Sequence, residues 1–161
     1  MQSAARKYSR GMTLMELMIV VVIASILVSI AVPSYMSQVR RGRRVEAKTA
    51  VLDLAGREER FFSTSATGAN YSQTAGDLGY TALPANLPSG YYSLSVCAVG
   101  PGLAGACPPS AQTAPAFTVT ATAIGTQTAD TQCASFAVDN TGRQWATDSG
   151  GNDNTVYCWG N

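Results

Sequence analysis

A chain of 161 residues with a formal net charge of +1 has room for one modest domain and an anchor. It contains no histidine, the commonest general base and metal ligand, so its serine and cysteine side chains lack a His partner for nucleophilic catalysis. The adjacent acids Glu58 and Glu59 are expected on the surface of a helix. We therefore predict that the chain is not an enzyme and needs no cofactor.

The first predicted element is an apolar helix that follows a short basic segment. Residues 1–11 contain Arg6, Lys7 and Arg10, whereas residues 12–32 contain one charged side chain, Glu16. A helix over residues 12–32 would be roughly 31 Å long, enough to span a bilayer. An intramembrane carboxylate costs about 2.5–3.5 kcal/mol, so Glu16 is predicted to be functional and to have a partner. The alternative is a plain signal anchor in which Glu16 lies near the interface without consequence.

The start of the chain resembles the leader of the type IV pilin family, in the residues Arg10-Gly11-Met12-Thr13-Leu14-Met15-Glu16. The resemblance implies that prepilin peptidase removes residues 1–11 by cutting between Gly11 and Met12, and that the new amino terminus of Met12 is N-methylated. It also implies that Glu16 is an assembly contact that pairs with the amino terminus of a neighbouring subunit.

The helix is predicted to continue to residue 62, with weak points at Pro33 and Gly42. Proline removes a helix hydrogen bond and clashes with the preceding turn, and glycine costs about 1 kcal/mol relative to alanine. In pilins, which this segment resembles, a proline at this place marks a helix that is partly unwound in filaments. Glu46 and Glu58 have basic residues within a turn and are expected to form ordinary helix ion pairs.

Beyond residue 45 the helix is predicted to be amphipathic. Apolar side chains recur at steps of three and four residues, which indicates one face packed on a domain: Ala47, Ala50, Val51, Leu54, Ala55, Phe61 and Phe62. Just before this face lie four arginines, Arg40, Arg41, Arg43 and Arg44. Two interpretations stay open for them, a solvated helix face touching lipid headgroups and pairing between subunits in a filament.

The C-terminal part is predicted to be a globular head, residues 63–161, that begins with a long loop over residues 63–90. Alternating apolar residues predict strands over residues 92–98 and 117–123. Residues 133–138 and 143–147 flank the turn Asp139-Asn140-Thr141-Gly142, a strong hairpin signal. The fold class is therefore α+β, a pilin fold with one long N-terminal helix packed against an antiparallel sheet of about four strands.

Four cysteines lie beyond the apolar segment, Cys97, Cys107, Cys133 and Cys158. An even count behind an export segment indicates two disulfides in an oxidising compartment, which places the amino terminus inside and the head outside. Proximity in sequence favours Cys97 with Cys107 and Cys133 with Cys158, among three connectivities that four cysteines allow.

Two further groups of residues have alternative interpretations. Asp148, Asn152, Asp153 and Asn154 offer oxygen ligands to Ca²⁺, but their spacing does not match an EF-hand and such residues are common in turns. We predict no metal site. Aromatic side chains in the head could stack on bases, although core packing is the usual role: Tyr91, Tyr92, Trp145, Tyr157 and Trp159.

The strand and turn over residues 136–142, with Cys133 and the closing Cys158-Trp159, resemble minor pilins of the PilE type. The resemblance implies a minor pilin that polymerises through its N-terminal helix, in a pilus serving twitching motility, adhesion or DNA uptake. Its expected partners are other pilin subunits, prepilin peptidase and the assembly platform. It is expected in the inner membrane as precursor and pool, with a periplasm-facing head, and in the extracellular filament once assembled.

Two alternatives are a type II secretion pseudopilin and a DNA-uptake receptor pilin of the ComP type. A pseudopilin would be expected to lack this disulfide arrangement. DNA is disfavoured as a partner because Arg143 is the only basic residue beyond Phe62. Five aspartates lie in the same part of the chain, Asp77, Asp130, Asp139, Asp148 and Asp153.

Overall fold

A computed structural model describes residues 11–65, 70–100 and 114–160 of the chain. Its residues group into two compact units, Met1–Val39 and Arg40–Asn161. The helix α1, Leu14–Thr64, supplies residues to both units. Cys107 and residues 1–10 of the predicted leader lie outside the described residues.

In the first unit, the sequence begins a helix directly after Thr13. The Oγ of Thr13 accepts a hydrogen bond from the backbone N–H of Glu16 at 3.2 Å, which satisfies a donor that the first helical turn leaves unpaired. None of the described residues 11–39 is buried. By length and composition, α1 contains a segment able to cross a membrane. Pro33 lies inside the helix, and its predicted unwinding in a filament stays a prediction.

In the second unit, one face of α1 is part of the hydrophobic core. The buried helix residues recur at steps of three and four: Ala47, Val51, Leu54, Ala55 and Glu58. They pack with apolar residues of the sheet, among them Tyr92, Leu94 and Phe136, which are fully buried. The amphipathic face predicted from the sequence is therefore the core face, with one acid added to it.

The described residues of the head form a five-stranded antiparallel sheet in which sequence neighbours are also spatial neighbours. The strands are β1, Ala85–Asn86; β2, Tyr92–Val99; β3, Ala116–Ala123; β4, Ser135–Asp139; and β5, Gln144–Thr147. A short helix, α2, Thr155–Trp159, follows β5. The predicted α+β class is confirmed, and the strand that the sequence did not reveal is β1, which is only two residues long.

The turn between β4 and β5 shows why the hairpin was predictable. The Oδ1 atom of Asp139 accepts hydrogen bonds from the backbone N–H groups of Thr141 at 2.9 Å and Arg143 at 3.0 Å. Gly142 has a φ of 77°, a backbone conformation that glycine adopts without strain. Local side-chain bonding of this kind is why aspartate and glycine favour tight turns.

Candidate functional site

The N-terminal segment presents an apolar surface that no described residue covers. Its large side chains are more than half exposed, for example Leu14 at 78 %, Ile23 at 53 % and Ile30 at 70 %. Glu16 lies in the first turn of α1 and is also exposed. An apolar helical surface of this length requires lipid or other apolar helices around it, because its transfer out of water is favourable.

Thr13 and Glu16 also form a recognisable helix start. Threonine at the cap position with glutamate three residues later is the capping-box pattern, and the structure shows the bond from the Glu16 amide to the Thr13 hydroxyl. This structural role was not predicted from the sequence. The bond uses the backbone of Glu16, so it accounts for Thr13 at the cap position and assigns no partner to the Glu16 carboxylate.

The arginines that follow the apolar run differ in their surroundings within the second unit. Arg44 forms an ion pair with Asp130, with Nε and Nη2 each 2.7 Å from a carboxylate oxygen. The guanidinium carbon of Arg43 lies 3.5 Å from the ring centroid of Tyr91, a close cation–π contact. Arg40 belongs to the same turn of helix, and Arg41 is exposed.

A buried polar network surrounds the ion pair. The side-chain amide of Gln127 donates to the Tyr92 hydroxyl at 3.2 Å and to Asp130 at 3.1 Å. Burial raises the pKa of Tyr92 to about 12, so its hydroxyl stays protonated at physiological pH. Asp130, one of the five aspartates counted in the head, is therefore paired with Arg44 and does not contribute an isolated negative charge.

An open cleft of about 290 Å³ lies beside this network. Its lining residues carry three positive charges and no carboxylate: Arg41, Arg44, Lys48, Tyr157, Cys158 and Gly160. The ammonium of Lys48 donates to the backbone carbonyl of Trp159 at 3.1 Å. Burial, with added repulsion from Arg44, lowers the pKa of Lys48. Tyr157 is 51 % exposed at the edge of the cleft.

Glu58 contradicts two expectations from the sequence. It was expected on the helix surface and in a helix ion pair, but its side chain is fully buried and its Oε2 accepts a hydrogen bond from the Ser72 amide at 3.0 Å. Its Oε1 has no hydrogen-bond partner among the described residues. Burial raises the pKa of Glu58 to about 7, and the nearby Glu59 and Asp77 add to the shift. The structure thus contains a carboxyl group that titrates near neutral pH.

Glu46 also differs from its expected role. The carboxylate accepts a hydrogen bond from the Ser89 hydroxyl, so its described bond reaches the loop before β2. Two ion pairs are found among the described residues, Arg44 with Asp130 and Arg57 with Asp53. The pair within the helix is the one at positions 53 and 57.

In the acidic turn near the C-terminus, residues 148–154, carboxylate oxygen atoms accept hydrogen bonds from the backbone of the same turn. The Oδ1 of Asp148 accepts from the N–H groups of Gly150 at 2.8 Å and Asn152 at 2.9 Å. The side-chain amide of Asn152, which donates to both carboxylate oxygens, and these backbone bonds lower the pKa of Asp148. Within residues 11–65, 70–100 and 114–160, the structure contains no cluster of His, Cys, Asp and Glu side chains that could hold a metal ion.

A disulfide closes the C-terminal region. Cys133 and Cys158 are bonded, and they are separated by 25 positions in sequence. The indole N–H of Trp159 donates to the backbone carbonyl of Trp145 at 3.0 Å, next to the bridge. The predicted pairing of Cys97 with Cys107 stays a prediction, because Cys107 lies outside the described residues.

A helix with an apolar first half, followed by an antiparallel sheet and a disulfide-closed end, defines a pilin-like α+β protein. Comparison with known proteins agrees. Residues 6–32 match the prokaryotic N-terminal methylation motif. Residues 33–137, about two thirds of the chain, match the family described as type IV minor pilin ComP, DNA uptake sequence receptor. The chain belongs to this family of type IV minor pilins, and its resemblance to type IV pilins is confirmed.

One relative is a major pilin. The chain is 40 % identical over 72 residues to the type IV major pilin protein PilA of Myxococcus xanthus (strain DK1622). The match covers 45 % of this chain and 31 % of the relative. The chain thus spans about a third of the length of this curated relative.

Proposed function

We propose that the chain is a minor subunit of a type IV pilus that is stored in the inner membrane and polymerises through α1. The observation that carries the proposal is the contrast along this helix. Side chains of residues 12–32 are exposed and, apart from Glu16 and a few hydroxyls, apolar, whereas Ala47, Val51 and Leu54 are fully buried in the head. A helix that buries one part in its own head leaves the other part for lipid or for the helices of other subunits.

Processing is the first step of this function. Prepilin peptidase cuts between Gly11 and Met12 and methylates the Met12 amine, and the match of residues 6–32 to the methylation motif supports this step. The cut leaves a positive amine close to the start of α1. Glu16 of a neighbouring subunit then neutralises this amine in the filament core, where an unpaired charge would be costly.

Purified pili provide the test. Intact-mass measurement of the subunit in sheared filaments should give a chain that begins at Met12 and carries one added methyl group. Quantitative mass spectrometry of the same material should find it at a small proportion relative to another pilin. A retained Met1, a cut beyond residue 32, or absence of the subunit from pili would contradict the proposal. A correctly processed subunit that is absent from pili would favour a pseudopilin.

A second candidate is a DNA-uptake receptor, and the family match over residues 33–137 favours it. The acidity of the head was the reason to disfavour DNA as a partner. That reason is weaker because Arg44 neutralises Asp130. The basic residues available for phosphate contacts are mainly those of α1, such as Arg40, Arg41 and Arg43. Binding of the full chain to duplex DNA, measured by fluorescence anisotropy at increasing salt, should weaken steeply with salt if several cations contact phosphates.

A further inference from the structure

The cleft lined by Arg41, Arg44 and Lys48 has the features of an anion site. These residues stand at steps of three and four along α1, so their side chains share one face of the helix. Among the described residues, Arg41 and Lys48 take part in no ion pair. Among these residues Asp130 balances Arg44 alone, so Arg41 and Lys48 bring two positive charges without an ion-pair partner to a cleft of about 290 Å³.

The donors in the cleft suit the oxygen atoms of a phosphate group. Arginine carries five N–H donors, and Arg44 uses Nε and Nη2 on Asp130. Lys48 has three donors and uses one on the Trp159 carbonyl. Burial lowers the pKa of Lys48, and repulsion from Arg44 adds to the shift; a bound anion would offset the second effect.

Exposed apolar side chains identify the source of the phosphate. Tyr157, which lines the cleft, and its neighbour Val156 on α2 are 51 % and 74 % exposed. A nucleic-acid backbone offers nothing for an exposed valine, whereas a lipid offers acyl chains next to its phosphate. Tyrosine is also enriched where membranes meet water, because its ring is apolar and its hydroxyl is polar.

The position of the cleft in the sequence favours the same ligand. Arg41 follows Val32, the end of the apolar run, after only eight intervening residues, 33–40. Tyr35, another interfacial residue type, lies in this interval and is 69 % exposed. Basic residues that close to a membrane span lie within reach of lipid headgroups.

We infer that the cleft of Arg41, Arg44 and Lys48 binds the phosphate of an anionic phospholipid while the subunit is held in the membrane. The inference rests on the proposed function, because it requires a membrane-stored subunit. The bound headgroup holds the base of the head at the bilayer surface. Extraction of the subunit into a filament must then release this lipid.

Native mass spectrometry of the full chain in detergent micelles tests the inference, with phosphatidylglycerol and phosphatidylcholine as the probes. The variant Arg41→Gln with Lys48→Gln should bind phosphatidylglycerol roughly 10- to 30-fold more weakly than the unchanged chain. The control Arg60→Gln with Arg143→Gln removes the same charge from exposed positions outside the cleft and should retain the lipid. Arg41→Gln alone, at an exposed residue, should give a several-fold loss if the double variant folds poorly.

Three results would overturn the inference: unchanged lipid retention in the double variant, an equal loss in the control, or equal binding of phosphatidylcholine. Displacement of the lipid by a short DNA duplex, with DNA binding lost in the same variant, would assign the cleft to DNA instead. Membrane insertion is measured separately, as the fraction of chain that stays in the membrane pellet after a carbonate wash. A chain absent from that pellet would contradict the proposed function, whereas an inserted chain that retains no lipid would contradict only this inference.

Discussion

Arg44 and Asp130 lie 86 positions apart in sequence and form two parallel hydrogen bonds of 2.7 Å each. The side chain of Asp130 is 3 % exposed and that of Arg44 is 12 % exposed, so the pair is largely shielded from water. A bidentate arrangement of this kind fixes orientation as well as charge. The pair therefore ties the segment after the short 3₁₀ helix Gly125–Ala129 to α1.

Removal of one partner should destabilise the head strongly. In Asp130→Asn the guanidinium of Arg44, which is largely shielded but borders the open cleft, loses its counter-charge, and we expect the free energy of unfolding to fall by roughly 3 kcal/mol, the lower end for a buried pair. Urea unfolding of the full chain in detergent, followed by the fluorescence of Trp145 and Trp159, gives this value. Asp53→Asn is the matched control, because Asp53 is 47 % exposed and exposed pairs contribute under about 1 kcal/mol. Equal losses in both variants would show that the buried pair has no special role.

Glu58 should make the head less stable as the pH rises. Its pKa is about 7 in the folded chain and ordinary in the unfolded chain, so between about pH 4.5 and pH 7 the folded state holds a proton that the unfolded state has lost. The stabilisation that Glu58 contributes is therefore complete below about pH 4.5, declines between about pH 4.5 and pH 7, and is lost above pH 7.

The difference between Glu58→Gln and the unchanged chain isolates this contribution from other carboxylates. At pH 8 we expect the variant to be more stable by roughly 2–3 kcal/mol, with the gain vanishing near pH 4. Thermal unfolding at a series of pH values provides the measurement. A gain in Glu58→Gln that did not change with pH would rule out titration of this carboxyl group.

Glu16→Gln should affect assembly and leave the head intact. This side chain lies in the first turn of α1 and is exposed, so cleavage and folding should match those of the unchanged chain. The neutral amide cannot neutralise the amine of Met12, so incorporation into filaments should fall severalfold. The readout is the amount of subunit in sheared pili relative to the membrane pool. Normal incorporation would mean that the Glu16 carboxylate is not an assembly contact.

Loss of the Cys133–Cys158 bridge should cost about 3 kcal/mol, as expected for a closed loop of this size. The double variant Cys133→Ala with Cys158→Ala should therefore unfold at lower urea concentration than the unchanged chain. Non-reducing peptide mapping of the unchanged chain tests the other predicted bridge, Cys97–Cys107. A peptide that joined Cys97 to Cys133 or Cys158 would contradict both pairings.

Much of this fold could be predicted because its signals are local. The turn at Asp139 and Gly142, the alternation in β2 and β3, and the apolar steps along α1 each depend on neighbours within a few positions. The strand β1 escaped prediction because two residues give no alternation to recognise. Its pairing with Leu94 and Ser93 is visible only in three dimensions.

The site was less predictable because its residues meet across long stretches of chain. Nothing in the sequence near Arg44 indicates that Asp130 is its partner. For Glu58 a signal did exist, since it continues the spacing of Val51, Leu54 and Ala55, but a charged residue type is a poor indicator of burial. A strict reading of the helical period would have placed this acid in the core.

Among the described residues, the buried core residues run from Ala47 to Cys158, and none before Arg40 is buried. Substitutions in residues 14–32 therefore leave the packing of the head unchanged, and core substitutions in the head leave the apolar surface unchanged. Mutations in residues 14–32 and mutations in the part of α1 that begins at Ala47 should accordingly be close to additive in their effects on stability. Natural selection can thus adjust the fit of the subunit to a filament and the exposed surface of its head as separate traits.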